Sequence, residues 1–114
     1  MTKQELQSAV GEICKSYGVP SIKLQFSEGK GRGLACYVTL RYRIGGKIQK
    51  KHHPKNITVY SWEYIKDHKG EVAMRVGHEL AHHIKNMKTN SLMHNTAFYN
   101  LEETVASRLS RMLK

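Results

Sequence analysis

Acidic residues are what the middle of this sequence lacks. The 114-residue chain has nine, and none falls between Glu28 and Glu63. Over that span Lys30, Arg32, Arg41, Arg43, Lys47, Lys50, Lys51 and Lys55 are left unbalanced, within a net charge of +10. Such a segment creates a local positive potential that attracts polyanions, nucleic acid above all. The other reading is a solvated edge hairpin that uses lysine to block aggregation.

Cysteine is also scarce. Cys14 and Cys36 are the two, without CxxC spacing, which excludes a disulfide framework and a zinc ribbon. Both are expected to be small buried hydrophobes. No apolar run approaches the roughly 20 residues of a membrane span, and the opening MTKQELQSAV has neither the basic nor the apolar region of a signal peptide. A cytoplasmic protein without membrane association is therefore expected. Internal repeats and linker-like stretches are missing too, so residues 1–114 are expected to form a single domain around one core. The balance of 39% hydrophobic and 25% charged residues is that of a globular chain and not a disordered one.

What is present reads as an α+β layout. Thr2 followed by Glu5 is a capping-box signature, and Leu6, Val10, Ile13, Cys14 and Tyr17 recur at helical spacing until Gly18 and Pro20 end the run. Ile22, Leu24 and Phe26 alternate as a short strand, followed by the loop SEGKGRG. In the next alternating stretch Cys36, Val38, Leu40, Tyr42 and Ile44 share one face, expected inside. Tyr37, Thr39, Arg41 and Arg43 share the basic outer one. Gly45-Gly46 suits a hairpin turn, with Lys47 to Lys51 returning antiparallel, HHPKN as a loop and ITVYS as a further strand. From about Glu71 to Met87 the pattern is helical, and a last helix is expected from near Asn95. The expected fold is an N-terminal helix, a small and mostly antiparallel sheet of three or four strands, a long helix and a C-terminal helix.

The long helix carries His78-Glu79-Leu80-Ala81-His82, the HExxH pattern. Residues four apart lie one turn above each other, so two imidazoles can grip one zinc ion from the same helix face. Glu79 is then no ligand but a general base for a water that the metal activates. Helical projection places Val72, Val76, Leu80 and Ile84 on one apolar stripe with His83, and His78 and His82 on the other side beside Met74 and Ala81. His83 is thus expected to pack rather than to ligate. Gly77 is unfavourable inside a helix by about 1 kcal/mol. It either admits another segment beside the first ligand or is simply tolerated.

A catalytic zinc needs a third protein ligand and one open position. His94, Glu102 and Glu103 are the candidates. Phe98, Leu101, Val105, Leu109 and Met112 form the inward stripe of the last helix. His94 lines up with that stripe, Glu102 reaches only its edge, and Glu103 projects away. Periodicity favours His94, and a shifted helix start would reverse the order. For a group that stabilises the developing oxyanion, Tyr60, Tyr64, Tyr99 and His68 are all open.

VAMRVGHELAHHI followed by HNTAF resembles the SprT-like, Spartan and WLM group of zinc metallopeptidases, whose pattern is HExxH, a variable insert, then His-x-x-x-Phe or Trp. The motifs cover Ile57 to Leu101, and Asn95 stands where the group has Gly or Ser. The resemblance implies a zincin-like fold, a Zn2+ cofactor held by His78, His82 and His94, Glu79 as general base, and hydrolysis of a protein or peptide substrate. In Spartan-like members that substrate is protein crosslinked to DNA, which the basic segment Lys30 to Lys55 would suit. A second resemblance is to minimal gluzincins and ImmA-like peptidases, in which a glutamate of an ExxA[DN] helix is the third ligand. Glu103-Thr-Val-Ala106-Ser107 is similar to that pattern. From a different class comes the alternative of a basic nucleic-acid-binding module with a structural or vestigial zinc site, motivated by Tyr37, Tyr42 and Tyr60 interleaved with the cations.

Overall fold

A computed structural model of the chain describes residues 1–29 and 33–113; Lys30 and Arg32 of the basic segment lie outside them. Helix α1 spans Lys3–Ser16. Thr2 caps it by accepting the Glu5 N–H at 3.1 Å, which satisfies one amide donor that the first turn leaves free. Leu6, Val10, Ile13 and Cys14 are fully buried. Gln7 joins this helix to the sheet: its side-chain carbonyl accepts the Leu24 N–H at 2.8 Å and its amide donates to the Ile22 carbonyl at 2.9 Å.

The strands are β1 (Leu24–Ser27), β2 (Ala35–Leu40), β3 (Arg43–Ile44), β4 (Lys47–Ile48) and β5 (His53–Tyr60). A three-stranded sheet has the order β1-β5-β2, with β3 and β4 forming a separate two-stranded ribbon. β5 is central, parallel to β1 and antiparallel to β2. Leu24, Ile57 and Tyr37 stand side by side in that register, as do Phe26, Val59 and Ala35. Side chains alternate along a strand, so these six share one face, which the helices cover. On the other face the Asn56 amide donates to the Gln25 side-chain carbonyl at 3.1 Å and accepts from the Thr58 hydroxyl at 2.8 Å.

The α+β architecture is the expected one, with local differences: the three-stranded sheet is mixed, with one parallel and one antiparallel pair, and the alternating stretch to Ile44 breaks after Leu40. The inner face of β2 is that of Ala35 and Tyr37; Cys36 is exposed, and Leu40 is 41% exposed. Alternation separates two faces but cannot say which is covered when both carry apolar residues. Cys14 is buried as expected. His53 to Asn56 belongs to β5 and not to a loop. A short helix α2, Trp62–Ile65, follows β5; its Trp62 ring meets Phe26 edge-on at 4.9 Å.

Helix α3, Lys69–Thr89, packs on the inner face of the sheet through Val72, Val76, Leu80 and Ile84, each at most 1% exposed. Helix α4, Thr96–Met112, lies against α3. At Gly77 the two helices come close: a Cβ built there would stand 2.9 Å from the Ala106 Cα and 3.0 Å from its Cβ. The absent side chain is therefore a packing requirement. Among the described residues no helix is long and apolar enough to cross a membrane.

Replacing Gly77 by alanine raises intrinsic helix propensity by about 1 kcal/mol yet overpacks this contact, which typically costs 1–3 kcal/mol or somewhat more at a rigid backbone. Gly77→Ala is expected to lower stability in urea unfolding. An equal or higher midpoint would show that α4 can retreat freely.

Candidate metal centre

Helical periodicity puts His78 and His82 one turn apart on α3, and a chain reversal supplies the third imidazole. Asn90 ends α3 in the left-handed conformation, φ 50°, and Asn95 starts α4 by accepting the Phe98 N–H on its side-chain oxygen at 2.9 Å. The four residues between double back, leaving His94 immediately before the cap. Its Nε2 lies 2.9 Å from His82 Nε2, and one ring nitrogen from each of His78, His82 and His94 falls within 4.8 Å of the other two. This cluster could hold a metal ion.

Phe98 forms the floor. It is fully buried, and its ring centroid lies 5.2, 4.5 and 5.0 Å from those of His78, His82 and His94. One turn further along α4, the Glu102 carboxylate bonds His78 Nδ1. That pairing keeps the proton on Nδ1 and leaves the lone pair of Nε2 for a metal, the usual way a carboxylate orients a ligating histidine. Glu103 is exposed. The two glutamates weighed as third ligands thus have different settings, one on a ligand's far nitrogen and the other in solvent.

Electrostatics suit a cation. Burial first, then the neighbouring His78 and His94 charges, push the His82 pKa down to about 4, so its imidazole is neutral at pH 7. Among the described residues its Nδ1 is buried without a hydrogen-bond partner. Three imidazoles whose ring nitrogens approach one another this closely make a donor set that fits a transition metal such as zinc.

Glu79 sits beside the cluster and is held by the sheet. The Tyr37 backbone N–H, on the edge of β2 away from β5, donates to its Oε2 at 2.8 Å. Burial raises the Glu79 pKa, with the Tyr37 amide and His78 working against that and Glu102 adding to it. A cleft of about 300 Å³ opens next to it, lined by Leu34, Ala35, Met74, Arg75, His78 and Glu102 among others.

His83 belongs to the packing face, as its helical position indicated, and is fully buried. Its Nε2–H donates to the Pro20 carbonyl at 2.8 Å, so Nδ1 accepts from the Tyr37 hydroxyl at 3.0 Å. That hydroxyl also accepts from the Asn86 amide at 3.0 Å. Of the four candidates for oxyanion stabilisation, Tyr99 stacks on His94 with centroids 6.2 Å apart, whereas Tyr64 and His68 stack on each other. Tyr37 had no signal in the sequence, because it acts on Glu79 through its backbone. Glu102 had one: it stands four residues after Phe98, at the edge of the inward stripe.

No protein-family model, curated protein or solved structure matches this chain.

Burial also lowers the pKa of His83, opposed by the Pro20 carbonyl. Both depressed histidines resist protonation in the fold, whereas in the unfolded chain they take up protons near pH 6.5. Stability of the metal-free protein is therefore complete above that value and falls as pH drops towards 4, with unfolding taking up about two protons. Urea midpoints measured between pH 7.5 and 4.5 check this; a profile flat across that range would contradict it.

Proposed function

We propose that the chain is a zinc-dependent metallopeptidase. The observation that carries the reading is the convergence of His78, His82 and His94 beside a Glu79 carboxylate that is not a member of the cluster but is held next to it. The resemblance of GHELAHH and HNTAF to SprT-like peptidases supports the same assignment. With both thiols free, an intracellular setting is proposed as well.

In this reading His78, His82 and His94 would hold the zinc. When bound, zinc supplies Lewis acidity, lowering the pKa of water to about 7 and polarising a carbonyl. Glu79 does the proton work. The Tyr37 amide occupies Oε2 and leaves Oε1 to take the proton of the attacking water and pass it to the leaving amine nitrogen. Glu102 holds the His78 ring and its tautomer. Among the described residues no strand pairs with the outer edge of β2, so an extended peptide can align along it past Glu79 through the main-chain groups other than the Tyr37 N–H, which Glu79 already takes. The neighbouring cleft takes a substrate side chain.

Metal analysis of the purified chain should find about one zinc per molecule, with hydrolysis of a fluorogenic peptide library abolished by chelation. Glu79→Gln is expected to keep the zinc and lose at least about 100-fold in rate. His94→Ala should lose the metal, and Glu102→Gln should weaken metal affinity about 10- to 100-fold. Glu103→Ala is expected to keep the zinc; loss of metal there would favour the gluzincin-type arrangement. A protein without zinc and indifferent to chelators would sink the peptidase reading.

A further inference from the structure

The β3–β4 ribbon takes no part in the site described above. Its four paired residues are all exposed, and Gly45 and Gly46 turn it with φ of 58° and 80°, the left-handed values that a two-residue hairpin turn requires. Each rung joins a cation to an isoleucine: Arg43 lies opposite Ile48, and Ile44 opposite Lys47. Ile44 is 68% and Ile48 51% exposed, with Tyr42 at 53% just below them. Arg41, Lys50, Lys51 and Lys55 flank the ribbon in sequence, all exposed. Among the described residues none of these six cations has an acidic partner.

The base of the ribbon is fastened to the domain. The Gln49 N–H donates to the Tyr42 carbonyl at 2.8 Å and extends the ladder. The Tyr42 ring rests on His53 at 4.9 Å. At the C-terminal end of α3, Asn90 accepts the His52 N–H at 3.1 Å and Asn86 donates to the His52 carbonyl at 2.8 Å. A ribbon fixed in this way is presented in one orientation. A hairpin serving only to block aggregation displays charge; this one displays two isoleucines and a tyrosine among the charges.

We propose that the β3–β4 ribbon is a DNA-binding arm that enters the major groove of duplex DNA. Charge complementarity selects a polyanion, since the segment from Glu28 to Glu63 has no acid to repel one. Shape selects the duplex: the major groove, about 12 Å wide, admits a two-stranded ribbon, whereas the deep, narrow groove of A-form RNA does not. Residues across a rung share a face, so Arg43 and Ile48 stand on one side of the ribbon and Ile44 and Lys47 on the other. Entering by its tip, the ribbon turns Arg43 and Lys47 towards phosphates of the two groove walls, and Ile44 and Ile48, one on each face, towards apolar base edges such as the thymine methyl. From Tyr37 at Glu79 to Arg43 the chain spans six residues, about 20 Å if extended. The arm would thus hold DNA near the site without blocking it. The proposal stands independently of the hydrolytic reading, because binding is measured without turnover.

The test is fluorescence anisotropy with a short labelled DNA duplex across a salt series. The wild-type chain should bind with strong salt dependence. The double variant Arg43→Glu/Lys47→Glu should bind about tenfold or more weakly at low salt, with the log–log salt slope reduced by about two. Lys23→Glu/Lys69→Glu makes the same change in net charge at exposed positions outside the ribbon and its flanking basic segment, and should leave binding nearly intact. Ile44→Ser/Ile48→Ser should weaken binding without changing the slope. Circular dichroism confirms that each variant is folded. Equal losses from the two charge-reversed pairs, an RNA duplex or polyglutamate bound as tightly as DNA, or no binding at low salt would each overturn the proposal.

Discussion

The close approach of α3 and α4 at Gly77 and Ala106 is the contact on which the three-histidine cluster depends. Because nothing projects from Gly77, the backbone of α4 can lie almost against that of α3. Going back along α4 from Ala106, Glu102 is one turn away and Phe98 two. Going forward along α3 from Gly77, His78 is next and His82 follows one turn on. The two helices therefore bring carboxylate, aromatic floor and imidazoles into register as a consequence of one backbone contact. A side chain at position 77 would separate all of these pairs together.

A second constraint fixes the sheet against the same helix. The buried chain of hydrogen bonds from the Pro20 carbonyl through His83 to the Tyr37 hydroxyl, and on to Asn86 and the His52 carbonyl, ties β2 and the start of β5 to the inner face of α3. Buried polar groups must be paired to avoid a desolvation penalty of about 1–3 kcal/mol each, so the network specifies one position of β2. That position aims the Tyr37 amide at Glu79. α3 thus has two sides linked by a single residue: His83 and Asn86 hold the Tyr37 side chain, while its backbone holds the Glu79 carboxylate on the side of the cluster.

Local patterns carried most of the secondary structure. The cap at Thr2, the apolar stripes of α3 and α4 and the Gly45-Gly46 turn depend on residues close in sequence, and each is found where it was expected. The inner face of β2 was not legible, because which side of a strand is covered depends on what packs there. Cys36 is exposed because α3 lies on the side of Tyr37. The extension of β5 back to His53 escaped notice for a related reason: HHPKN has a loop-like composition, and its pairing with Thr39 and Leu40 is set by the partner strand.

By itself the sequence determined that His78 and His82 share a helix face with Glu79 beside them, because helical rotation is a property of the backbone alone. It also determined that His83 turns away from them, and that a long segment carries positive charge with none of the opposite sign. Only the tertiary structure decided that His94 closes on His82, that Glu102 meets His78 while Glu103 faces solvent, and that the amide of Tyr37 reaches Glu79. These contacts join residues 12 to 42 positions apart in sequence. Their distances follow from how closely helices and strands can pack, which a periodic pattern does not encode.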